Sequence, residues 1–284
     1  KLFKRLNQIE KVKKILLTGS TGFVGSALLR SLSKKYKVYV ILRKKNQNVL
    51  KNKNIIKIDY LNLNDLNKKI SKLKVNTVIH CATHYVKKHS FEDIKKLCDS
   101  NILFGNIILE NLKMMGVKKF INFSTVWENY DGKKGNYYNL YSAYKACFIN
   151  LINYYKKELD KINFLNLTLS DTFGLKDKRN KLVNILRLNY KKNRVTKIVS
   201  RNLYMNLLNV TDVENAIDLI LKRNYRSDTY ILENNRNFKV IDLINNINKK
   251  RKKIKVKWLS NKILKEKTYK FTVLKNWKPI NSKI

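Results

Sequence analysis

The chain has 284 residues, 44% of them hydrophobic, and sixteen are tyrosine. This composition excludes a disordered chain, and no run of about 18 apolar residues is present to span a membrane. Lys and Arg number 62 against 20 Asp and Glu, a formal net charge of +42, which leaves open a polyanion binder or mere compositional drift.

The N-terminal stretch "KLFKRLNQIEKVKK" is basic, and no apolar signal-peptide core follows it. "KKILLTG" is a short apolar strand. From Ser20 to Lys34 the apolar residues Phe23, Val24, Ala27, Leu28 and Leu32 fall at helical spacing. "KVYVILR" and "IIKID" predict two more strands, followed by a polar helix from about Asn64 to Leu73. "VNTVIHCA" and "VKKFINFST" predict further strands, with a long amphipathic helix from Phe91 to Met115 between them. A helix from Tyr141 to Lys157 leads into the strand "INFLNLTLS". Such alternation predicts an α/β fold with a doubly wound parallel sheet covered by helices on both faces.

After Ser170 the rhythm loosens into short helices and short strands such as "DTYILE" and "IKVKWL". The expected division is a Rossmann-type dinucleotide-binding domain over residues 11–170 and a smaller α/β substrate lobe over residues 171–284, with a soft boundary and interleaved segments.

Gly19, Gly22 and Gly25 stand at three-residue spacing, in a chain of only eight glycines. They follow a strand and open a helix. Gly19 suits the tight turn, Gly22 lets the backbone approach a pyrophosphate, and Gly25 lets helix and strand pack closely. The helix N-terminus then offers unpaired N–H groups to the phosphates. The alternative is turn chemistry alone. An acid at the end of the second strand would bind an adenosine ribose hydroxyl. Arg43 and Lys44 stand there instead, and they suit a 2′-phosphate. NADP(H) is therefore expected over NAD(H).

Tyr141 and Lys145 are four apart in "NLYSAYKACF", on one face of a helix. An ammonium near a phenol lowers the phenol pKa and fits it to pass a proton. Ser124 and Thr125 end the fifth strand, where ligands bind in parallel sheets.

Together these segments resemble the extended short-chain dehydrogenase/reductases, the nucleotide-sugar epimerases, dehydratases and reductases. "TGSTGFVG", with Thr21, Phe23 and Val24 among its glycines, is similar to the family's cofactor turn. The resemblance places Asp59 and Tyr60 of "IIKIDYLN" near adenine. It puts Cys81, Ala82 and Thr83 of "VIHCATH" along the cofactor and makes Asn101 of "SNILFGNIILENL" the family's Asn, a cofactor-binding residue. It implies Thr125, Tyr141 and Lys145 as catalytic, and Asp171 of "SDTFG" beside the sugar nucleotide. Met205 and Asn206 stand where the family often has a diphosphate-binding Arg, so Arg179 or Lys181 is expected to supply that charge. His84, just after a strand end, is a candidate to face the sugar, whereas His80 reads as a packed core histidine.

The 4,6-dehydratases of this family carry Asp-Glu directly after the catalytic Thr. Val126 and Trp127 stand there, and Glu128 is one place late. The resemblance thus implies an NADPH-dependent 4-reductase of the CDP-abequose and CDP-paratose synthase type, acting on a nucleotide-linked 4-keto-6-deoxy sugar with Tyr141 as proton donor. An NAD-dependent nucleotide-sugar 4-epimerase is the alternative, and a non-catalytic RNA- or polyanion-binding protein on the same fold is a further one. Scattered lysines, abundant Asn and Ile and the single Pro279 favour drift as the source of the charge, so nucleic acid is not an expected partner. Three histidines without matching carboxylates give no metal site. Cys81, Cys98 and Cys147 are far apart and odd in number, which points to a reducing, cytoplasmic compartment. The family also implies a homodimer through the helices after residues 91 and 141.

Overall fold

A computed structural model describes residues 13–43, 49–250 and 253–282. Lys44 and the side chain of Arg43 lie outside the described residues. Strands β1 (Lys14–Thr18), β2 (Lys37–Arg43), β3 (Ile55–Tyr60), β4 (Thr77–His80), β5 (Lys119–Thr125) and β6 (Asn163–Leu169) pair in parallel in the order β3-β2-β1-β4-β5-β6. Crossovers between parallel strands need long connections. Helices α1 (Phe23–Leu32), α2 (Leu63–Ser71), α3 (Phe91–Cys98), α4 (Phe104–Glu110) and α5 (Leu140–Glu158) lie on these crossovers.

Side chains along a strand alternate between faces. Ile15 and Leu17 of β1 join α1 in one core, while Leu16 joins the α4 and α5 residues Ile108 and Phe148 in the other. All five of these side chains are completely buried. A sheet covered on both sides explains why its strands are apolar runs without polar alternation.

The sequence predicts one helix from Phe91 to Met115. The structure instead breaks it with a π-helical turn over Asp99–Leu103 and ends α4 at Glu110. One extra residue per turn re-aims the side chains of that segment, and Asn101 sits within it, buried.

Beyond β6 come β7 (Asp171–Phe173), α6 (Leu182–Lys191), β8 (Thr196–Ile198), β9 (Leu203–Met205), β10 (Leu207–Asn209), α7 (Val210–Lys222), β11 (Asp228–Leu232), β12 (Phe238–Lys239), α8 (Val240–Lys250), β13 (Val256–Trp258), β14 (Leu264–Lys265) and β15 (Thr272–Val273). β11 pairs with β6, and β15 with β11, so the large sheet has eight strands. The sequence reading assigns "DTYILE" to the smaller lobe; the structure puts it in the large sheet. The reason is hydrophobic burial: Val213, Ala216 and Ile217 of α7 enter the same core as Ile15 and Leu28. A separate small core of Leu186, Ile198, Val240, Ile244 and Ile254 holds the remaining lobe together.

Asp212 of α7 ties down the C-terminal stretch. Its buried carboxylate accepts from Ile280 N at 3.1 Å, Asn281 N at 3.0 Å and Ser282 Oγ at 2.6 Å.

Candidate active site

The glycine turn joins β1 to α1. Gly19 has φ +66, and a Cβ there would lie 2.5 Å from the Cys81 carbonyl carbon. The turn is pressed against the end of β4, which only glycine permits. A Cβ on Gly25 would lie 2.1 Å from the Gly19 carbonyl oxygen, so the helix packs directly on the turn. Gly22 differs from the sequence reading: it is the N-cap of α1, not a helical residue. An added Cβ on Gly22 would meet only Gly19 O, at 3.3 Å. Gly22 has no capping side chain, and the first turn of α1 has no acid. The positive end of the helix dipole therefore faces the cavity with no acid in the helix's own first turn. This cradle fits a pyrophosphate.

That cavity, of about 520 Å³, runs along the C-terminal ends of the strands and up to the smaller lobe. Of the residues expected around the cofactor, Gly19, Thr21, Gly22, Phe23, Val24, Gly25, Tyr60, Cys81, Ala82 and Thr83 line it. Thr125, Tyr141 and Lys145 line it too, as do His84, Asp171, Arg179 and Lys181. Two expected cofactor residues stand elsewhere. Asp59 is exposed, and its backbone carbonyl accepts from Lys69 Nζ at 2.7 Å. Asn101 is buried behind the wall, and its amide holds the chain after β4. Its Oδ1 accepts from His84 N at 2.7 Å and Thr83 Oγ1 at 3.0 Å, and its Nδ2 donates to His84 O at 3.1 Å.

Helix α5 carries the Tyr–Lys pair. Its start is set by Asn139, whose Oδ1 accepts from Ser142 N at 3.0 Å while Ser142 Oγ accepts from Asn139 N at 3.2 Å. These reciprocal bonds satisfy N–H groups that have no partner within the helix. Lys145 is 4% exposed. The sequence reading has Lys145 lowering the Tyr141 pKa. In the structure burial dominates and pushes Tyr141 up, opposed by a hydrogen bond with Thr83. A buried phenolate loses hydration, and this costs more than its neighbours return. Burial also pushes Lys145 down, and Glu128 works against that shift.

Glu128, which the sequence reading sets aside as one place late for a dehydratase acid pair, is buried beside the site. It is 5% exposed, and its Oε1 accepts from Ser124 Oγ and from Thr125 N at 3.3 Å. The signal was present in "TVWE": Thr125 and Glu128 form a capping box on the short 3₁₀ turn after β5. Trp127, which the sequence alone marks as a packing residue, and Tyr85 form an aromatic wall of the cavity. Tyr85 meets the Tyr141 ring edge-on, with centroids 5.1 Å apart.

The two expected diphosphate cations already have anionic partners. Lys181 Nζ donates to Asp171 Oδ1 at 2.8 Å and lies 3.9 Å from the Trp127 ring centroid. Arg179 grips Asp177 through two nitrogens, both at 2.9 Å, and covers the Phe23 ring at 4.3 Å. His80 is a core residue. Its Nδ1 lies 3.0 Å from Thr18 Oγ1, and three phenylalanine rings surround it.

Residues 15–232 match the model of the NAD dependent epimerase/dehydratase family. The chain belongs to that family. Its members are NAD(P)-dependent enzymes of the short-chain dehydrogenase type, and this chain is a nucleotide-sugar-modifying enzyme among them. It is 29% identical to the CDP-abequose synthase of Salmonella muenchen, over 78% of this chain and 74% of that protein. It is 30% identical to the dTDP-D-glucose 4,6-dehydratase of Dictyostelium discoideum, over 77% of this chain but only 58% of that protein. The UDP-glucose 4-epimerase structure from Thermotoga maritima shares the family fold, with a TM-score of 0.78, 19% identity and 94% of each chain covered. Among the described residues no helix is long and apolar enough to cross a membrane, and no His, Cys, Asp and Glu cluster could hold a metal ion.

Proposed function

We propose that this family member reduces a nucleotide-linked 4-keto-6-deoxy sugar at C4, with NADPH as the reductant and Tyr141 as the proton donor. The observation that carries the reading is the meeting of Thr125, Tyr141 and Lys145 on one wall of the cavity that the glycine turn opens into. The likeness to CDP-abequose synthase supports the substrate class. Val126 and Trp127 stand where a 4,6-dehydratase has its Asp-Glu pair, and neither can pass a proton between C5 and C6. No acid ends β2, and Arg43 closes that strand, which favours a 2′-phosphate on the cofactor.

In this reading the backbone N–H groups from Gly22 onward hold the pyrophosphate, and Lys145 holds the nicotinamide ribose. When bound, the nicotinamide supplies a hydride. The Thr125 hydroxyl donates to the C4 carbonyl oxygen and orients it. Tyr141 gives its proton to that oxygen as negative charge develops there. Tyr141 carries its proton near neutral pH and is therefore in the form that can donate. The sugar nucleotide lies in the cavity against Asp171 and Lys181, beyond β6, and His84, after β4.

The test is incubation with NADPH and CDP-, dTDP-, GDP- and UDP-linked 4-keto-6-deoxy sugars, followed at the nicotinamide absorbance. Tyr141→Phe should lower turnover by about 10²–10⁴-fold while NADPH binding is kept. Normal turnover in that variant, or tightly bound NAD with no net NADPH consumption, overturns the reading.

A further inference from the structure

The chain has 20 Asp and Glu, yet residues 178–211 and 243–265 contain none. Compositional drift raises lysine everywhere and does not by itself clear a surface of acids. The two segments meet in the small sheet of β8 and β13, whose parallel register sets Lys197 directly opposite Lys257. Thr196 N donates to Lys255 O and Leu259 N to Ile198 O, both at 2.9 Å, so the pairing extends past both strands. Thr196, Ile198 and Ile254 are buried, and alternation along a strand puts their neighbours outside. The outer face carries Val195, Lys197 and Val199 from one segment and Lys255, Lys257 and Leu259 from the other, all exposed. Ser200 Oγ donates to Lys262 O, which ties the exposed Lys262 and Ile263 to the same end. Among the described residues no ion pair reaches Lys197, Lys255 or Lys257. The acids that bound the two segments are engaged elsewhere. Asp177 grips Arg179, the buried Asp212 holds the C-terminal stretch, and Glu266 accepts from Asn206 N at 2.7 Å. Asp242 sits in the first turn of α8, where it complements the helix dipole.

Like charges directly opposite on paired strands repel. Val195, Val199, Leu259 and Ile263 are each more than half exposed, so aliphatic surface is left in water among these cations. A surface that is anionic outside and apolar beneath relieves both costs at once. A bilayer with anionic headgroups has that chemistry, with phosphates for the ammonium groups and an acyl boundary for the aliphatic side chains. Long lysine stems let the charges reach the headgroups while the apolar side chains lie between them. Single-stranded RNA calls instead for flat rings on which bases stack. This face presents none, because Trp258 packs against the small core of the lobe. None of these residues lines the 520 Å³ cavity, so the face is separate from the active site. We propose that the outer face of β8 and β13 docks the protein peripherally on an anionic lipid surface.

Cosedimentation of the purified chain with lipid vesicles tests this, with no substrate or cofactor present. At about 0.15 M sodium chloride the chain should bind vesicles of phosphatidylglycerol and phosphatidylcholine in equal parts, and leave pure phosphatidylcholine vesicles unbound. Lys197→Gln with Lys257→Gln should weaken that binding by about tenfold or more, since each lysine near an anionic surface contributes about fivefold. Val199→Ser with Leu259→Ser keeps the charge and should also weaken it several-fold. All four side chains are exposed, so both variants should keep a thermal midpoint near that of the wild type. Lys57→Gln with Lys72→Gln removes two exposed charges from the large-sheet domain and should leave binding within about twofold. Equal losses in the two lysine variants would make the binding an effect of net charge and overturn the proposal. Three other results overturn it as well: no binding to the anionic vesicles, binding unmoved by the serine pair, or a poly(U) oligonucleotide held more tightly than the vesicles. Should the serine pair not fold, the comparison of the two lysine variants decides.

Discussion

His80 shows how burial decides the behaviour of a single side chain. It is 1% exposed, lies among Phe104, Phe120 and Phe148, and its Nδ1 pairs with Thr18 Oγ1. Thr18 Oγ1 in turn accepts from Ala82 N at 3.1 Å, so the small network fixes the β1 and β4 ends on which the cavity is built. With the folded pKa near 3 and the unfolded value near 6.5, the unfolded chain takes the proton first on acidification. The stability from a neutral His80 is therefore complete above about pH 6.5 and is lost progressively as pH falls toward 3. The full loss is on the order of 5 kcal/mol. Urea unfolding at a series of pH values should show this slope, and His80→Gln should flatten it. An equal slope in both proteins would place the acid sensitivity in the carboxylates instead. The same physics separates the Tyr141 found from the Tyr141 expected. Spacing alone puts a lysine on its helix face; only the depth of the cavity shows that desolvation outweighs any such help.

At the scale of elements, the π-helical turn between α3 and α4 matters most for the site. An unbroken α-helix from Phe91 is the natural reading of the apolar spacing. The extra residue per turn is invisible to that reading, because the spacing on either side of Asp99–Leu103 remains helical. The turn brings Asn101 to the segment after β4, where it makes three hydrogen bonds to Thr83 and His84. Asn101→Ala should cost about 1–2 kcal/mol, because the half-buried His84 N–H is left without its partner. It should also weaken nicotinamide dinucleotide binding, since Thr83 and His84 line the cavity. Chemical denaturation and a fluorescence titration check the two effects separately. A stable variant with normal dinucleotide affinity would remove Asn101 from any role in shaping the site. The capping box after β5 has similar reach. A local motif that usually starts a helix buries Glu128 against Ser124 and Thr125 at the strand end.

For the whole molecule, the net charge of +42 sets the response to salt. Like charges repel across a compact surface, and ions screen them over a Debye length that falls from roughly 30 Å at 0.01 M to about 8 Å at 0.15 M. The thermal midpoint should rise over that range of sodium chloride, by differential scanning calorimetry. A falling midpoint would mean that pairs such as Lys181–Asp171 and Arg179–Asp177 outweigh the repulsion. Much of the architecture was legible before any coordinates. The strand–turn–helix context of Gly19, Gly22 and Gly25, the β-α alternation and the Tyr141–Lys145 spacing are local patterns, and hydrogen-bond geometry and side-chain periodicity act over a few residues. The family resemblance followed from those same local segments. The return of α7 and β11 to the large sheet was not legible, because it depends on which distant apolar faces find each other. Nor was the capture of Lys181 and Arg179 by Asp171 and Asp177 at the lobe edge, or the aromatic wall of Tyr85 and Trp127. Sequence by itself determined the chemical groups and the sheet that presents them. Tertiary structure alone decided their charge states and partners, because desolvation and Coulomb interaction depend on distance in space, which spacing along the chain does not set.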